Sequence, residues 1–332
     1  MDGPALAMCL GVEAEMKMTA LKRIAGAVGP VVAGALALAI GLAKPTPVKA
    51  DGEAAAKEKS ERCASRVSIA LTGKSPSAEL LAAADPQASV DTILADAAFV
   101  DRFARFVNSE FNTEPGETAA DDSAYTLAKY VLEQKKPWHE MFDGKYAVTD
   151  TVTADPQGLG YFRSEPWMRR YAGNEPAGYR LPAAYRFLQN TTGLKLTAVT
   201  NAAGVDITAT GRQAAECAGC HYQKWYALDL VAKILSKRKG QNANMTFTAP
   251  TEGPQKILGG KTIANDNELV DALLQSEDFT FNQCRLAFTY LYGRSENSCE
   301  AGVFDKCVDA FKKDGTIQSA LATIAKDATF CQ

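Results

Sequence analysis

Asp96-Ala97-Ala98-Phe99-Val100-Asp101-Arg102-Phe103-Ala104-Arg105-Phe106-Val107-Asn108-Ser109-Glu110-Phe111 is the stretch that decides the fold. Phe99, Phe103, Phe106, Val107 and Phe111 recur at the spacing of one face of an α-helix, with charged and small residues between them. A half-buried strand would alternate every second residue, and this stretch does not. An aromatic stripe of this kind predicts a packed core face, because ring burial dominates the energetics of an interior.

Outward from it the chain reads as further helices. Ser77 is placed to cap a helix carrying Leu80 and Leu81, and a second helix is expected over 90–95. A helix over 123–134 ends ahead of Pro137, with Asp121-Asp122 as helix-start residues. Residues 51–62, charged and rich in Ala, read as a frayed leader or first helical turn. Residues 143–215 carry frequent Gly, Pro, Tyr and Asn and only brief runs, at 167–171, 181–189 and 194–199. A long irregular stretch of this kind is often functional, here as the wall of a crevice. Helices are expected again over 224–237, 266–275, 278–292, 303–313 and 317–327, with a Gly/Asn/Pro-rich loop over 240–260. The expected fold is mainly α: a helical N-terminal region with an irregular middle segment over 51–200, a ligand-carrying module over 201–280, and C-terminal helices over 281–332.

The 332 residues are 46% hydrophobic and 23% charged, with a formal net charge of -3. That balance suits a globular protein and supplies no basic face for nucleic acid. The basic residues at 233–239 read as a solvated helix end.

Near the N-terminus, Lys17, Lys22 and Arg23 precede an uncharged run over 24–43, followed by Pro45, Pro47 and Val48-Lys49-Ala50. This is the tripartite pattern of a secretory signal over 1–50, with cleavage after Ala50 and a mature chain from Asp51. Glu13 and Glu15 are foreign to such a signal, which moves the expected start to Met16 or Met18. The competing reading is an uncleaved anchor, since about 20 residues span a bilayer; only then is the membrane a partner. Cys9 precedes the apolar run and is not placed as a lipoprotein cysteine.

Cys217-Ala218-Gly219-Cys220-His221 is a C-x-x-C-H sequence. One turn of helix brings two thiols to the vinyl groups of one porphyrin, and the next residue's imidazole meets the iron. Ala218 and Gly219 are small enough for a close backbone approach. The reading is a single covalently bound haem c, held by Cys217 and Cys220 and ligated by His221. A zinc site needs further donors, yet His139 is the only other histidine and no second C-x-x-C exists. A redox dithiol of thioredoxin type needs a βαβ context that helical surroundings lack. There is no GxGxxG or P-loop sequence, and two histidines leave a serine or cysteine triad almost no base.

The sixth iron ligand decides between an electron carrier and an open, reactive site. Met245, the only methionine after the motif, lies in the irregular loop as a distal thioether would. His139 is the alternative, with exposure at a helix start as its ordinary fate. Tyr222, Trp225 and Tyr226 are expected to pack near the porphyrin. Cys63, Cys284, Cys299, Cys307 and Cys331 remain, consistent with two disulfides and a free thiol in an oxidising compartment. Cys299 and Cys307 are close enough to clamp a short loop.

Leu71-Thr72-Gly73-Lys74-Ser75-Pro76-Ser77-Ala78-Glu79-Leu80 and the stretch 96–105 look like the N-terminal helical region of the large cytochrome-associated proteins common in planctomycetes and myxobacteria. Residues 137–146, 211–221, 281–294 and 317–330 are similar to successive later regions of that family, the second of them its haem-bearing region. This chain departs from the family in being short, and in reading Tyr222-Gln223-Lys224-Trp225 where a proline-containing stretch is expected. The resemblance implies a periplasmic or surface haem protein with no settled substrate. Three functions follow as expectations. They are electron transfer to an unidentified redox partner protein, an open-site enzyme or sensor of peroxidase-like type, and an accessory subunit of a larger exported complex.

Overall fold

The computed structural model describes residues 50–112, 122–171, 181–197, 204–239 and 246–332. It is 63% helix and 7% strand, so the fold is mainly α as expected. The first helix, α1 (Ala50–Thr72), runs unbroken through the region expected to fray. Its Ala content favours helix, and Lys57–Glu61 and Glu58–Arg62 pair across one turn at 3.8 Å. Ser77 caps α2 (Ala78–Ala82) by accepting from the Leu80 amide at 3.2 Å. Asp85 starts a 3-10 turn that leads into α3 (Val90–Ile93), shorter than the helix expected there.

The aromatic stripe forms α4 (Ala97–Phe111), capped by Asp96, with Phe99, Phe103, Val107 and Phe111 buried and Phe106 partly so. It lies against α5 (Ser123–Glu133). Asp122 stands at the N-cap of α5, and its fully buried carboxylate pairs with Arg170 rather than with the helix amides.

The middle segment comprises α6 (Glu140–Asp143), the hairpin of β1 (Tyr146–Val148) and β2 (Val152–Ala154), α7 (Glu165–Tyr171) and α8 (Leu181–Thr192). Its rings are built into the core, where Phe162, Trp167 and Phe187 also line a small pocket. Phe162 stacks on Phe187 at 4.0 Å between centroids, beside Tyr161 at 4.6 Å, and all three are buried.

The motif occupies α9 (Ala215–Ala218) and a π-type turn over Gly219–Gln223. The helix expected over 224–237 is only α10 (Leu228–Ile234). The Lys224 amide closes the π turn onto the Gly219 carbonyl at 2.9 Å, leaving Lys224 extended. At the other end Leu235 turns extended and leads into β3 (Lys237–Lys239), so the basic run is partly strand. β3 pairs with β4 (Thr246–Thr248), and β5 (Gln255–Ile257) pairs with β6 (Lys261–Ile263), both antiparallel. The loop expected over 240–260 therefore contributes strands. The second hairpin turns at Leu258-Gly259-Gly260, all with positive φ (51°, 76° and 99°), a conformation that glycine adopts without strain.

Four helices follow: α11 (Asp266–Leu274), α12 (Glu277–Tyr292), α13 (Ala301–Asp314) and α14 (Ile317–Ala325). α12 is the pivot of the molecule, in contact with α1, α8, α11, α13 and α14. Inside it, Gln283 is fully buried; its Oε1 accepts from Trp138 Nε1 at 2.8 Å. Buried residues from Cys63 to Phe330 belong to one contiguous apolar cluster.

Two disulfides join pairs of described residues. Cys63 bonds Cys331 across 268 residues of sequence, and Cys284 bonds Cys307 across 23. Cys307 is thus joined to α12 and not to Cys299, because α12 and α13 pack side by side while Cys299 sits in the 3-10 turn before α13. Cys299 is itself disulfide-bonded rather than a free thiol. No described helix is long and apolar enough to cross a membrane; the expected signal over 1–50 lies, apart from Ala50, outside the described residues.

Candidate functional site

The approach to the motif is a tight turn over 206–211. The Thr208 amide donates to Asp206 Oδ1 at 2.9 Å, and a hydrogen bond from the Thr208 side chain, followed by this amide, holds the Asp206 carboxyl below the usual carboxylate range. A Cβ at Gly211 would stand 2.0 Å from the Asp206 carbonyl oxygen, so only glycine lets this turn close. The closed turn brings Arg212 inward. Its guanidinium donates to the Ile207 carbonyl and to both oxygens of Asp229, from Nε to Oδ2 at 3.2 Å and from Nη2 to Oδ1 at 3.2 Å.

Cys217 sits on the single turn of α9, and Cys220 and His221 on the π turn that follows it. A π turn inside helical chain is frequently found at functional positions. Both cysteines are half-buried and free, while every other described cysteine is in a disulfide. Cys220 Sγ lies 3.3 Å from the Tyr226 hydroxyl. Burial, and then Cys220, push the Tyr226 phenol up to about 12. A Cβ on Gly219 would meet nothing closer than Lys224 Cε at 3.9 Å, so no protein packing demands glycine there.

His221 Nδ1 lies 2.6 Å from Oδ2 of Asp229, whose side chain is 2% exposed against 18% for the imidazole. The carboxylate accepts, so Nδ1 carries the proton and Nε2 is the nitrogen with a lone pair to offer a metal. Tyr222 adds a third donor, its hydroxyl standing 3.2 Å from Asp229 Oδ1 and 3.1 Å from the Ala209 carbonyl. The buried carboxylate is therefore met by a cation and two hydrogen-bond donors, as burial of a charge requires. α10, which carries Asp229, packs against the π turn, α8 and β5.

Sequence reasoning missed Asp229 and Arg212. The signal was a lone carboxylate in the otherwise apolar stretch Leu228-Asp229-Leu230-Val231-Ala232, eight residues after the histidine.

The other expected residues are placed differently. Tyr226 is buried, whereas Trp225 is 40% exposed and edge-on to it. His139 is exposed at the N-cap of α6, with Nδ1 2.9 Å from the Asp143 carboxylate, and that hydrogen bond raises its pKa above 6.5. Its helix packs on α5 and α11, whereas the motif's turn packs on α10. Met245 lies outside the described residues.

The donor set fits haem c. Two free thiols stand in the C-x-x-C-H register, Gly219 between them leaves open space, and one histidine has its remote nitrogen oriented by a carboxylate. Among the described residues no group of three or more His, Cys, Asp and Glu side chains is arranged to hold a metal by itself. No family model, no curated protein and no solved structure matches the chain.

Proposed function

We propose that this chain is an exported mono-haem c-type cytochrome that carries electrons. The observation that carries the reading is the C-x-x-C-H turn in which Cys217 and Cys220 are held as free thiols and the Nδ1 of His221 is tied to Asp229. Cys217 and Cys220 would hold the group by thioether bonds, and His221 would ligate its iron through Nε2. Bound there, haem supplies a one-electron couple. The chain's own residues orient the imidazole, keep the Asp229 carboxylate dry and leave apolar surface for the macrocycle. Val205, Ile207 and Trp225, which flank the motif, are three of the five large apolar side chains exposed among the described residues. The disulfides Cys63–Cys331 and Cys284–Cys307 favour an oxidising compartment, as export requires.

A denaturing gel stained for haem tests the attachment. The wild-type band stains, and Cys217→Ala with Cys220→Ala abolishes the stain. Unchanged staining in the double variant would overturn the assignment. An absorption spectrum with and without carbon monoxide tests the carrier role. A six-coordinate low-spin spectrum unaffected by carbon monoxide is expected, and ready carbon monoxide binding moves the open-site reading ahead.

A further inference from the structure

We propose that Asp229 is a positioning residue that sets how strongly His221 donates to haem iron, and so lowers the reduction potential of the bound group. The inference rests on the haem reading above and deepens it. A 2.6 Å contact between Nδ1 and a buried carboxylate is a short, charge-assisted hydrogen bond. A carboxylate behind a metal-bound histidine fixes its tautomer and ring orientation and makes it a more electron-rich ligand. With Asp229 and His221 2% and 18% exposed, water screens this interaction little. Ferric iron carries one positive charge more than ferrous iron, so the richer ligand favours the ferric form.

The surroundings of Asp229 give the idea a second, opposite lever. Its two oxygens are shared among His221, the fork of Arg212 and the Tyr222 hydroxyl. Arg212 and Tyr222 draw negative charge away from the bond to His221. Removing the acceptor and removing a competing donor must therefore move the potential in opposite directions. A carboxylate that served only to knit α10 to the motif would move stability in both variants and the potential in neither.

The test is a spectroscopic redox titration of the full-length, haem-loaded chain, run beside a haem-stained denaturing gel. Asp229→Asn is expected to shift the ferric–ferrous equilibrium about tenfold toward ferrous, a rise of about 59 mV for a one-electron couple. Tyr222→Phe keeps the Asp229–His221 pair and is expected to lower the potential by a smaller amount. Asp229→Glu is expected to restore part of the wild-type value. Equal potentials in wild type, Asp229→Asn and Tyr222→Phe, all with stained haem, overturn the proposal. Should Asp229→Asn fail to fold, the sign of the Tyr222→Phe shift decides alone, and a rise or no change overturns it. A wild-type chain that takes up no haem fails the functional reading itself, a result the gel separates from the other two.

Discussion

Cys217 and Cys220 differ from the other described cysteines by where the fold leaves them rather than by residue type. Cys63, Cys284, Cys307 and Cys331 each meet a partner brought across a helix interface, whereas the motif pair sits on the two halves of one irregular turn. Alkylation of the denatured, unreduced apoprotein is therefore expected to label Cys217 and Cys220 and to spare Cys63, Cys284, Cys307 and Cys331, and haem loading is expected to abolish both labels. Peptide mass mapping reads this directly. His139 makes a second residue-scale prediction. The Asp143 hydrogen bond raises its pKa above 6.5, with burial opposing. A raised histidine pKa adds stability that is fully present below the unfolded value near 6.5 and is lost as pH rises through the folded value. The contribution is small because the side chain is 47% exposed. Asp143→Asn is expected to return the His139 ring resonances to an ordinary titration and to flatten stability above pH ~6.5.

At the scale of elements, α12 depends on one polar residue. Gln283 accepts from Trp138 Nε1 at 2.8 Å, and its amide stands 3.3 Å from the Phe279 carbonyl. Gln283→Leu removes the acceptor and leaves the indole N–H buried without its partner, at a cost of about 1–3 kcal/mol. Urea unfolding monitored by far-UV circular dichroism measures the shift. The long helices are legible in the sequence because their apolar faces repeat over many turns, as at Phe99–Phe111, and the short α2 because Ser77 marks its start. The β3–β4 hairpin was not legible. Three-residue strands such as Lys237-Arg238-Lys239 carry no alternation, and their partner Thr246–Thr248 lies in a stretch that reads as loop. The site divides the same way. Cys217, Cys220 and His221 are adjacent in sequence and readable as a motif. Asp229 and Arg212 acquire meaning only when the Gly211 turn and α10 bring them to His221.

For the whole molecule, Cys63–Cys331 and Cys284–Cys307 act on loops of very different length. In the chain-entropy picture the stabilisation grows with the logarithm of the loop closed. Cys63→Ala with Cys331→Ala, which opens 268 residues, should cost more than Cys284→Ala with Cys307→Ala, which opens 23. The expected difference is about 2 kcal/mol, read as a lower denaturation midpoint in the first pair. The longer bridge also has a mechanical consequence. The Cα atoms of Cys63 and Cys331 are 4.9 Å apart. Tension applied at these two points passes through a covalent bond instead of through the helices between them. Roughly 900 Å of extensible chain is thereby hidden from a stretching force. Pulled in a force spectrometer by handles outside the bridge, the oxidised molecule would behave as a short inextensible knot, and the length would be released only once a reductant had cut the sulfur link.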